Sequence, residues 1–416
     1  MRSDCSRWIV QFVVMVASLA SVGFPPRPSA AAEPAVPQPD QLRAIPAAMQ
    51  KFIDDGELAG AVTVVGRKDG ILAFDAVGLA DREAAKPMTK DTLFRIASMT
   101  KPITAIGIMI LYDEGKLHPD DDVAKHLPEF TGQRLLVTDA AGTPTLVKPQ
   151  RPVKLRDLLT HTSGVANYPV GVNDVYIKRN RTLAETALAT ALQPLRFEPG
   201  TQWSYSNPGI DTLGRIIEVV SGEKYETFLQ KRLFEPLGMT NTTFSPTRAQ
   251  LERLAVTYDK TKEGKLVANP NTLICLTENA QHPIPAGGLV SCGHDLAQLY
   301  RMMLHRGQLN NRRILSEKAV AEMTRLQTGT LKTGFVEGMG FGFGWAVVRE
   351  PQGVTAMLRP GSYGHGGVFG TQGWIDPHQD LFVILLIQRT NLANADASPM
   401  RAKLQQLAVA AITKNE

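Results

Sequence analysis

A serine and a lysine three residues apart open an apolar helical stretch, in the segment Ser98-Met99-Thr100-Lys101-Pro102. Proline lacks an N–H and its ring clashes inside a helix, so the regular helix must begin close to Pro102. The residue before a proline also resists the α region, which predicts a tight 3₁₀-like turn here. Positions three apart nearly eclipse in such a turn. The hydroxyl and the amine are therefore predicted to lie together, as a nucleophile and the base that activates it.

A tyrosine stands at the start of a second predicted helix, in Trp203-Ser204-Tyr205-Ser206-Asn207-Pro208. Apolar residues recur over 210–220 with a helical period. Asn207 as N-cap and Pro208 as first helical residue would be ordinary capping chemistry. Capping does not explain the adjacent Tyr205, whose phenol could relay a proton if a nearby lysine lowers its pKa.

The third segment is a glycine-rich run, Gly364-His365-Gly366-Gly367-Val368-Phe369-Gly370, just before a strand-like stretch over 371–375. Glycines there let a backbone approach a ligand closely, and one N–H could complete an oxyanion hole. Such a run is by itself most often a bulge or a turn. Its significance therefore depends on the other two segments.

Together, the three segments resemble the motifs of the serine β-lactamase and penicillin-binding-protein superfamily. The Tyr-x-Asn form is most similar to the branch that holds class C β-lactamases, D-alanyl-D-alanine carboxypeptidases, D-aminopeptidases and family VIII carboxylesterases. Order and spacing agree from about residue 46 to the C-terminus, and three further stretches resemble the same branch, at 158–164, 197–201 and 286–291.

The resemblance implies a role for each motif residue. It makes Ser98 the acylated nucleophile and Lys101 its hydrogen-bonded activator. Tyr205 becomes the general base for acylation and the proton donor to the leaving group. Asn207 would hydrogen-bond the substrate or Lys101. No cofactor and no metal ion takes part in this chemistry.

The same resemblance places the glycine-rich segment along the substrate. His365 would line the acyl-side pocket beside Gly366 and Gly367, and the N–H groups of Ser98 and Val368 would form the oxyanion hole. Many β-lactamases and carboxypeptidases have lysine at the position of His365, and several esterases have tryptophan. Because of this departure, the motifs do not define the substrate class. The resemblance still implies a reaction through an acyl-enzyme.

Other chemistries find little support in the sequence. The eight histidines are dispersed, the three cysteines lack zinc spacing, and neither a nucleotide-binding motif nor a Gly-x-Ser-x-Gly elbow occurs. His161 and Ser163 form another Ser-His pair, in a stretch that is a structural turn in the resembled family. Cys275 and Cys292 are either free thiols or a bridge, and the sequence leaves both open.

Residues 1–32 are predicted to be an export signal. Arg2 and Arg7 precede an apolar run over 8–20, and Ser29-Ala30-Ala31-Ala32-Glu33 offers small residues for cleavage before Glu33. The run is short for a bilayer span, and an uncleaved interfacial anchor is the alternative. We therefore expect a periplasmic or secreted protein without a stable membrane span after cleavage.

The composition is typical of a folded enzyme. The 416 residues are 43% hydrophobic and 20% charged, which is enough to bury a sizeable core. The formal charge is only +5 and no cluster of lysine and arginine accompanies it, so no nucleic-acid partner is expected. The expected partner is a small ester, a β-lactam or a cell-wall peptide.

The order of elements predicts an α+β fold, an antiparallel sheet flanked by helices plus a mainly helical subdomain. A hairpin signal lies at Lys68-Asp69-Gly70. The predicted strands are 61–65, 71–77, 344–348, 371–375 and 381–388; the predicted helices include 102–115 and 398–413, with a small hairpin over 135–147. Residues 33–416 would form one catalytic domain, with a sheet part at about 40–95 and 330–416 and a helical part at about 96–329. The site is expected in the cleft between the two parts.

Three functions remain open on this basis. The first is a serine carboxylesterase for small or medium acyl esters, which the histidine at position 365 favours. The second is a β-lactamase or a D-alanyl-D-alanine carboxypeptidase of the penicillin-binding type. The third, a non-catalytic cell-wall-binding protein, is disfavoured because the polar groups of all three motifs are intact.

Overall fold

The computed structural model describes residues 40–168, 174–269, 276 and 280–413. The predicted export signal and Cys275 lie outside the described residues. Across the described ranges, no helix is both long and apolar enough to cross a bilayer.

Helices occupy the centre of the chain and both ends of the described part. They are α1 (Asp40–Arg43), α2 (Ile45–Asp54), α3 (Thr100–Asp113), α4 (Val123–His126), α5 (Leu155–Leu159), α6 (Asp174–Lys178), α7 (Leu183–Ala191), α8 (Asn207–Ser221), α9 (Tyr225–Leu229), α10 (Glu235–Leu237), α11 (Arg248–Leu251), α12 (Gly293–Leu304), α13 (Glu317–Thr324) and α14 (Pro399–Thr413).

Strands come mostly from the two ends. They are β1 (Gly60–Arg67), β2 (Gly70–Asp81), β3 (Lys86–Pro87), β4 (Phe94–Arg95), β5 (Leu135–Thr138), β6 (Pro144–Val147), β7 (Tyr258–Lys260), β8 (Leu266–Ala268), β9 (Val290–Ser291), β10 (Gln308–Leu309), β11 (Arg312–Arg313), β12 (Met339–Phe341), β13 (Ala346–Val348), β14 (Tyr363–Gly366), β15 (Gln372–Asp376) and β16 (Leu381–Leu386).

The main sheet has eight antiparallel strands in the order β12-β13-β14-β15-β16-β1-β2-β3. In its interior β1 pairs with β16, and Val64 lies opposite Ile384. The first and last parts of the described chain therefore meet in one sheet, and the predicted fold class is confirmed.

The sheet is covered on both faces, because successive side chains of its central strands point to opposite sides. In β1, Val62 and Val64 belong to the large core shared with α3 and α12. Ala61 and Val65 belong to a second core, which α14 and α2 cover. This arrangement explains why β1 reads as a continuous apolar run and not as an alternating one.

Helix α3 is the element that positions the site. Every residue from Thr100 to Leu111 is buried, so this mainly apolar helix is enclosed by the protein on all sides. Residues Ala97–Met99 form the 3₁₀ turn that was predicted before it. The start of α3 is therefore held by packing on all sides, with Ser98 in the turn that precedes it.

One local prediction is confirmed by the structure, and three others differ from it. The predicted hairpin over 135–147 is confirmed as the pair β5 and β6. His365 and Gly366 lie within a strand of their own, β14, which pairs with β15 and was not predicted. Gly344 lies before β13, in the left-handed region at φ +73°. The cap of α8 is Ser206 and not Asn207, since the Ser206 hydroxyl accepts the Gly209 N–H.

Candidate active site

The turn that carries Ser98 is strained and closely packed. Ala97 has a φ of +47°, which is unfavourable for a residue with a Cβ atom. The end of the glycine-rich segment lies against it: a Cβ on Gly367 would stand 2.6 Å from the Ile96 carbonyl oxygen and 2.2 Å from the Thr371 hydroxyl. Only glycine at this position lets the two backbones approach so closely, and Val368, the next residue, lines the same cavity as Ser98.

Lys101 lies directly beneath the serine. Its Nζ donates to the Ser98 Oγ at 3.0 Å and to the Ala286 carbonyl oxygen at 2.6 Å. The side chain is fully buried, and burial lowers the pKa of Lys101 to about 7, against a smaller opposing effect of Asp211. A large fraction of the amine is therefore neutral near pH 7 and able to accept the serine proton.

A buried carboxyl group stands behind the lysine. Asp211 accepts the Ala286 N–H at 2.9 Å and the Tyr176 hydroxyl at 2.6 Å. Ala286 thus links the two residues, because its N–H donates to Asp211 and its carbonyl oxygen accepts from Lys101. Burial raises the pKa of Asp211 to about 6, and its two hydrogen bonds and the Lys101 charge limit that rise.

Tyr205 covers the pair from the cavity side. Ser98 lies near enough to its hydroxyl to oppose the rise that burial causes in the Tyr205 pKa, and the Lys101 Nζ lies 4.6 Å from its ring centroid. The sequence predicts a role for Tyr205 as proton relay on the condition that a nearby lysine lowers its pKa. That condition is not met, because burial raises the pKa of Tyr205 above its ordinary value. In the resting site Tyr205 is a neutral phenol.

The backbone around Tyr205 is held by two residues that the sequence did not single out for this role. Asn167 donates through Nδ2 to the Tyr205 carbonyl at 2.8 Å and accepts the Asn207 N–H at 3.1 Å. His161 packs its ring on that of Tyr205 with 4.5 Å between centroids, and its Nδ1 accepts the Ser206 N–H. Burial lowers the pKa of His161, so it acts as a neutral support.

His365 lies buried in β14 on the opposite wall. Its Nδ1 donates to the Gly366 carbonyl at 2.7 Å, and its ring centroid is 6.1 Å from that of Tyr205. Burial, with the nearby Lys101, lowers the pKa of His365 below its ordinary value. Beyond the strand, the Val368 N–H has no hydrogen-bond partner among the described residues, as an oxyanion donor requires.

These residues border a cavity of about 560 Å³. Apolar side chains form much of its wall: Ala97, Ile284, Ala286, Phe335, Val368 and Leu392. Phe335 and Val368 remain 53% and 46% exposed, so apolar surface faces the opening. A cavity of this size accommodates a small or medium ligand.

The structure brings together all the residues that the motifs singled out. Ser98, Tyr205, Asn207 and the segment 365–368 line the cavity, and Lys101 lies under it. Lys101 donates to Ser98 and Ala286 and not to Asn207, which is one of the residues that line the cavity. Sequence reasoning missed Asp211, Tyr176 and Asp396, because no local pattern marks a residue that reaches the site only through folding.

Two other sequence questions concern residues away from the cavity. Cys292 is a buried free thiol in the part of the chain that the structure describes. Among the described residues, no three histidine, cysteine or acidic side chains are grouped as a metal site would require.

Comparison with known proteins agrees with this geometry. The sequence model of the Beta-lactamase family matches residues 45–408. Esterase EstB of Burkholderia gladioli is 31% identical over 82% of this chain and 88% of its own. A putative D-alanyl-D-alanine carboxypeptidase of Escherichia coli (strain K12) is 28% identical over 74% of this chain and 71% of its own.

A solved structure extends the likeness to three dimensions. EstCE1, described as a hydrolase with promiscuous acyltransferase activity, superposes with a TM-score of 0.76 at 27% identity, over 90% of this chain and 98% of its own. Given the match over most of its length, this chain belongs to the Beta-lactamase family, the serine hydrolases of the β-lactamase and penicillin-binding-protein superfamily.

Proposed function

We propose that this protein is a serine carboxylesterase that cleaves small or medium acyl esters through an acyl-enzyme on Ser98. The observation that carries the choice of substrate is the buried, uncharged His365 in β14, where a cation would be needed to hold a substrate carboxylate. The apolar cavity wall and the similarity to proteins named as an esterase and a hydrolase support the same choice.

Acylation begins at the contact between Ser98 and Lys101. The serine Oγ attacks the ester carbonyl carbon while its proton passes to the neutral Lys101 Nζ, 3.0 Å away. The carbonyl oxygen becomes an oxyanion, which the N–H groups of Ser98 and Val368 stabilise. The resemblance assigns the general base to Tyr205, but its raised pKa favours Lys101 for that role.

Collapse of the tetrahedral intermediate breaks the bond to the alcohol oxygen. That oxygen receives a proton from the Tyr205 hydroxyl, so the alcohol leaves as a neutral molecule. Lys101 then gives the proton that it took from Ser98 to the Tyr205 oxygen and is again a neutral amine. In deacylation a water molecule gives its proton to the same pair and attacks the acyl carbon. The acid leaves, and the Ser98 oxygen recovers its proton.

The second candidate is cleavage of a D-alanyl-D-alanine peptide or a β-lactam. The similarity to the putative D-alanyl-D-alanine carboxypeptidase supports it, as does the shared acyl-enzyme chemistry. Both substrates carry a carboxylate, however, and His365 offers that group only a neutral imidazole.

A parallel turnover assay separates the candidates. We expect kcat/KM for p-nitrophenyl butyrate to exceed that for nitrocefin, and no release of D-alanine from a D-alanyl-D-alanine peptide. Ser98→Ala is the matched control, because it removes only the nucleophilic oxygen. Faster turnover of nitrocefin or of the peptide would overturn the esterase assignment, and absence of any turnover with no serine labelling would favour a binding protein.

We also propose that the protein is exported to the periplasm or secreted, which the signal-like pattern of residues 1–32 supports. Intact mass of the protein from a periplasmic or culture fraction tests this. A chain that begins near Glu33 agrees with export and cleavage, whereas a chain that keeps Met1 contradicts it.

A further inference from the structure

A carboxylate stands on the cavity wall beside the glycine-rich strand. Asp396 lines the cavity together with Gly366, and a Cβ on Gly366 would lie only 2.0 Å from the Asp396 Oδ1. The same oxygen accepts a hydrogen bond from Gln372 Nε2 at 3.1 Å. Since the next residue, Gly367, lies against the turn of Ser98, the carboxylate is close to the reacting centre.

The segment that carries Asp396 is held in place by its own hydrogen bonds. The Asn394 Oδ1 accepts the N–H groups of Asp396 and Ala397, which fixes the short 3₁₀ turn. Its Nδ2 donates to the Phe335 carbonyl at 2.8 Å and ties the turn to the neighbouring Phe335 segment of the cavity wall. The carboxylate is thus presented by a rigid wall.

The nearest buried cation does not neutralise this carboxylate by direct contact. Arg401 donates through Nη1 to the backbone carbonyl of Asp396 at 2.5 Å and through Nε to Gln405 at 2.9 Å. Its guanidinium lies 3.9 Å from the centroid of the Trp374 ring. Arg401 and Asp396 do interact electrostatically, since Asp396 opposes the lowering of the Arg401 pKa by burial, but among the described residues no salt bridge joins the guanidinium to the Asp396 side-chain oxygens.

The other residues that line the cavity carry no opposite charge. Among the described residues of the lining, none is a lysine or an arginine, and His365 is buried and neutral. The charge of Asp396 also reaches the site, since it acts to raise the pKa values of both Tyr205 and His365. A substrate bound along β14 consequently meets Asp396 as the one acidic group among the described residues of the lining, with the Lys101 amine below Ser98 as the nearest titrating cation of the site.

We propose that Asp396 is a specificity-determining residue: it disfavours esters that carry a carboxylate at the end lying along β14 and favours those with a cationic, quaternary-ammonium-like group there. This inference rests on the proposed esterase function and names its substrate class. Two unit charges about 7 Å apart at an effective dielectric constant of about 40 change an equilibrium by roughly sevenfold, so cation over anion should be favoured by about tenfold to fiftyfold.

Two sets of esters of closely similar size test this in a pH-stat. With the charge on the alcohol end they are acetylcholine, 3,3-dimethylbutyl acetate and 3-acetoxypropanoate. With the charge on the acyl end they are the p-nitrophenyl esters of 4-(trimethylammonio)butyrate and 5,5-dimethylhexanoate, and the mono-p-nitrophenyl ester of adipate. The measured quantity is the kcat/KM ratio of the cationic to the anionic ester, in the wild type, in Asp396→Asn and in Asp69→Asn.

Asp69→Asn is the matched control, because it makes the same chemical change at an exposed hairpin away from the cavity. We expect the ratio to be about tenfold or more in the wild type in at least one set, and to fall by about fivefold or more in Asp396→Asn only. A smaller fall in both sets, or an equal fall in the control, overturns the proposal.

The neutral esters report on the underlying function independently. If the wild type hydrolyses none of them, the esterase proposal fails, and the role of Asp396 is then read from binding. The serine oxygen adds to the boron atom of an arylboronic acid, and no group has to leave. The Kd values of 3-carboxyphenyl-, 3-tert-butylphenyl- and 3-(trimethylammonio)phenylboronic acid therefore give the same comparison of an anionic, a neutral and a cationic ligand. An Asp396→Asn variant with unchanged relative affinities overturns the proposal by this route as well.

Discussion

Replacing Asp211 by asparagine should move the pH dependence of catalysis without removing any catalytic group. Asparagine keeps the size of the side chain, its Oδ1 still accepts the Ala286 N–H, and its Nδ2 can donate to the Tyr176 oxygen. What is lost is the negative charge one peptide away from Lys101. The Ala286 N–H is 2.9 Å from the carboxylate and the Ala286 carbonyl oxygen is 2.6 Å from Nζ.

The size of the effect follows from these distances. Charges separated by about 7 Å at an effective dielectric constant of about 20 interact by roughly 2.4 kcal/mol, or between one and two pH units. Asp211 favours the charged form of Lys101, so its removal lowers the pKa of Lys101 from about 7 towards a more acidic value. Since only the neutral amine accepts the serine proton, kcat/KM should then persist to lower pH.

The assay is kcat/KM for p-nitrophenyl butyrate from about pH 5 to about pH 9, which reports the ionisations of the free enzyme. The acid limb of the wild type should lie near the Lys101 pKa, about 7. In Asp211→Asn it should move about one to two units lower, whereas Asp69→Asn should leave it in place. A limb that stays, or that moves to higher pH, would refute the electrostatic coupling of Asp211 to Lys101.

The remaining predictions concern the cavity wall. Tyr205→Phe keeps the ring contacts but should slow acylation by about 10² to 10⁴, measured by stopped-flow release of p-nitrophenol; an unchanged rate would make Lys101 the sole proton carrier. Gly367→Ala should reduce kcat by about 10² with a lower Tm, because a Cβ collides with Thr371 and with the backbone before Ser98; native kcat would contradict the tight approach. His365→Lys should raise kcat/KM for nitrocefin relative to the butyrate ester by about tenfold, and a ratio that does not rise would show that a cation there does not limit carboxylate binding. In the wild type that ratio should stay flat from about pH 6 to about pH 8, because burial keeps His365 neutral, and a gain for nitrocefin at the acid end would show a titrating imidazole.

Local patterns predicted the parts of the site that depend on neighbours in sequence. The proline after Lys101 defines the 3₁₀ turn, and the spacing of three places the amine against the Ser98 hydroxyl. The sheet formed by both ends of the chain followed from apolar runs and turn signals. Strand β14 was not predicted because its glycines have low strand propensity. The strand forms because it pairs with β13 and β15.

Features that arise from burial or long-range contact could not be predicted in this way. The pKa of Tyr205 depends on how completely the fold excludes water from its hydroxyl, so the sequence could state a lowered pKa only as a condition, and the structure shows a raised one. Serine and asparagine are both good N-cap residues, so the sequence alone does not decide whether Ser206 or Asn207 caps α8. The backbone geometry of Ser206 decides it. Asp396 lies 298 residues after Ser98 in the sequence and reaches the cavity only through its place before α14.

The most direct test of the proposed chemistry is the mass of the covalent intermediate. The full chain, incubated with a fluorophosphonate and then digested, should carry one adduct on the peptide that contains Ser98, and Ser98→Ala should carry none. The same variant should lose ester turnover by several powers of ten, the usual effect of removing a covalent nucleophile. An adduct on another residue, or turnover within about tenfold of wild type in Ser98→Ala, would contradict the assignment of Ser98 as the nucleophile.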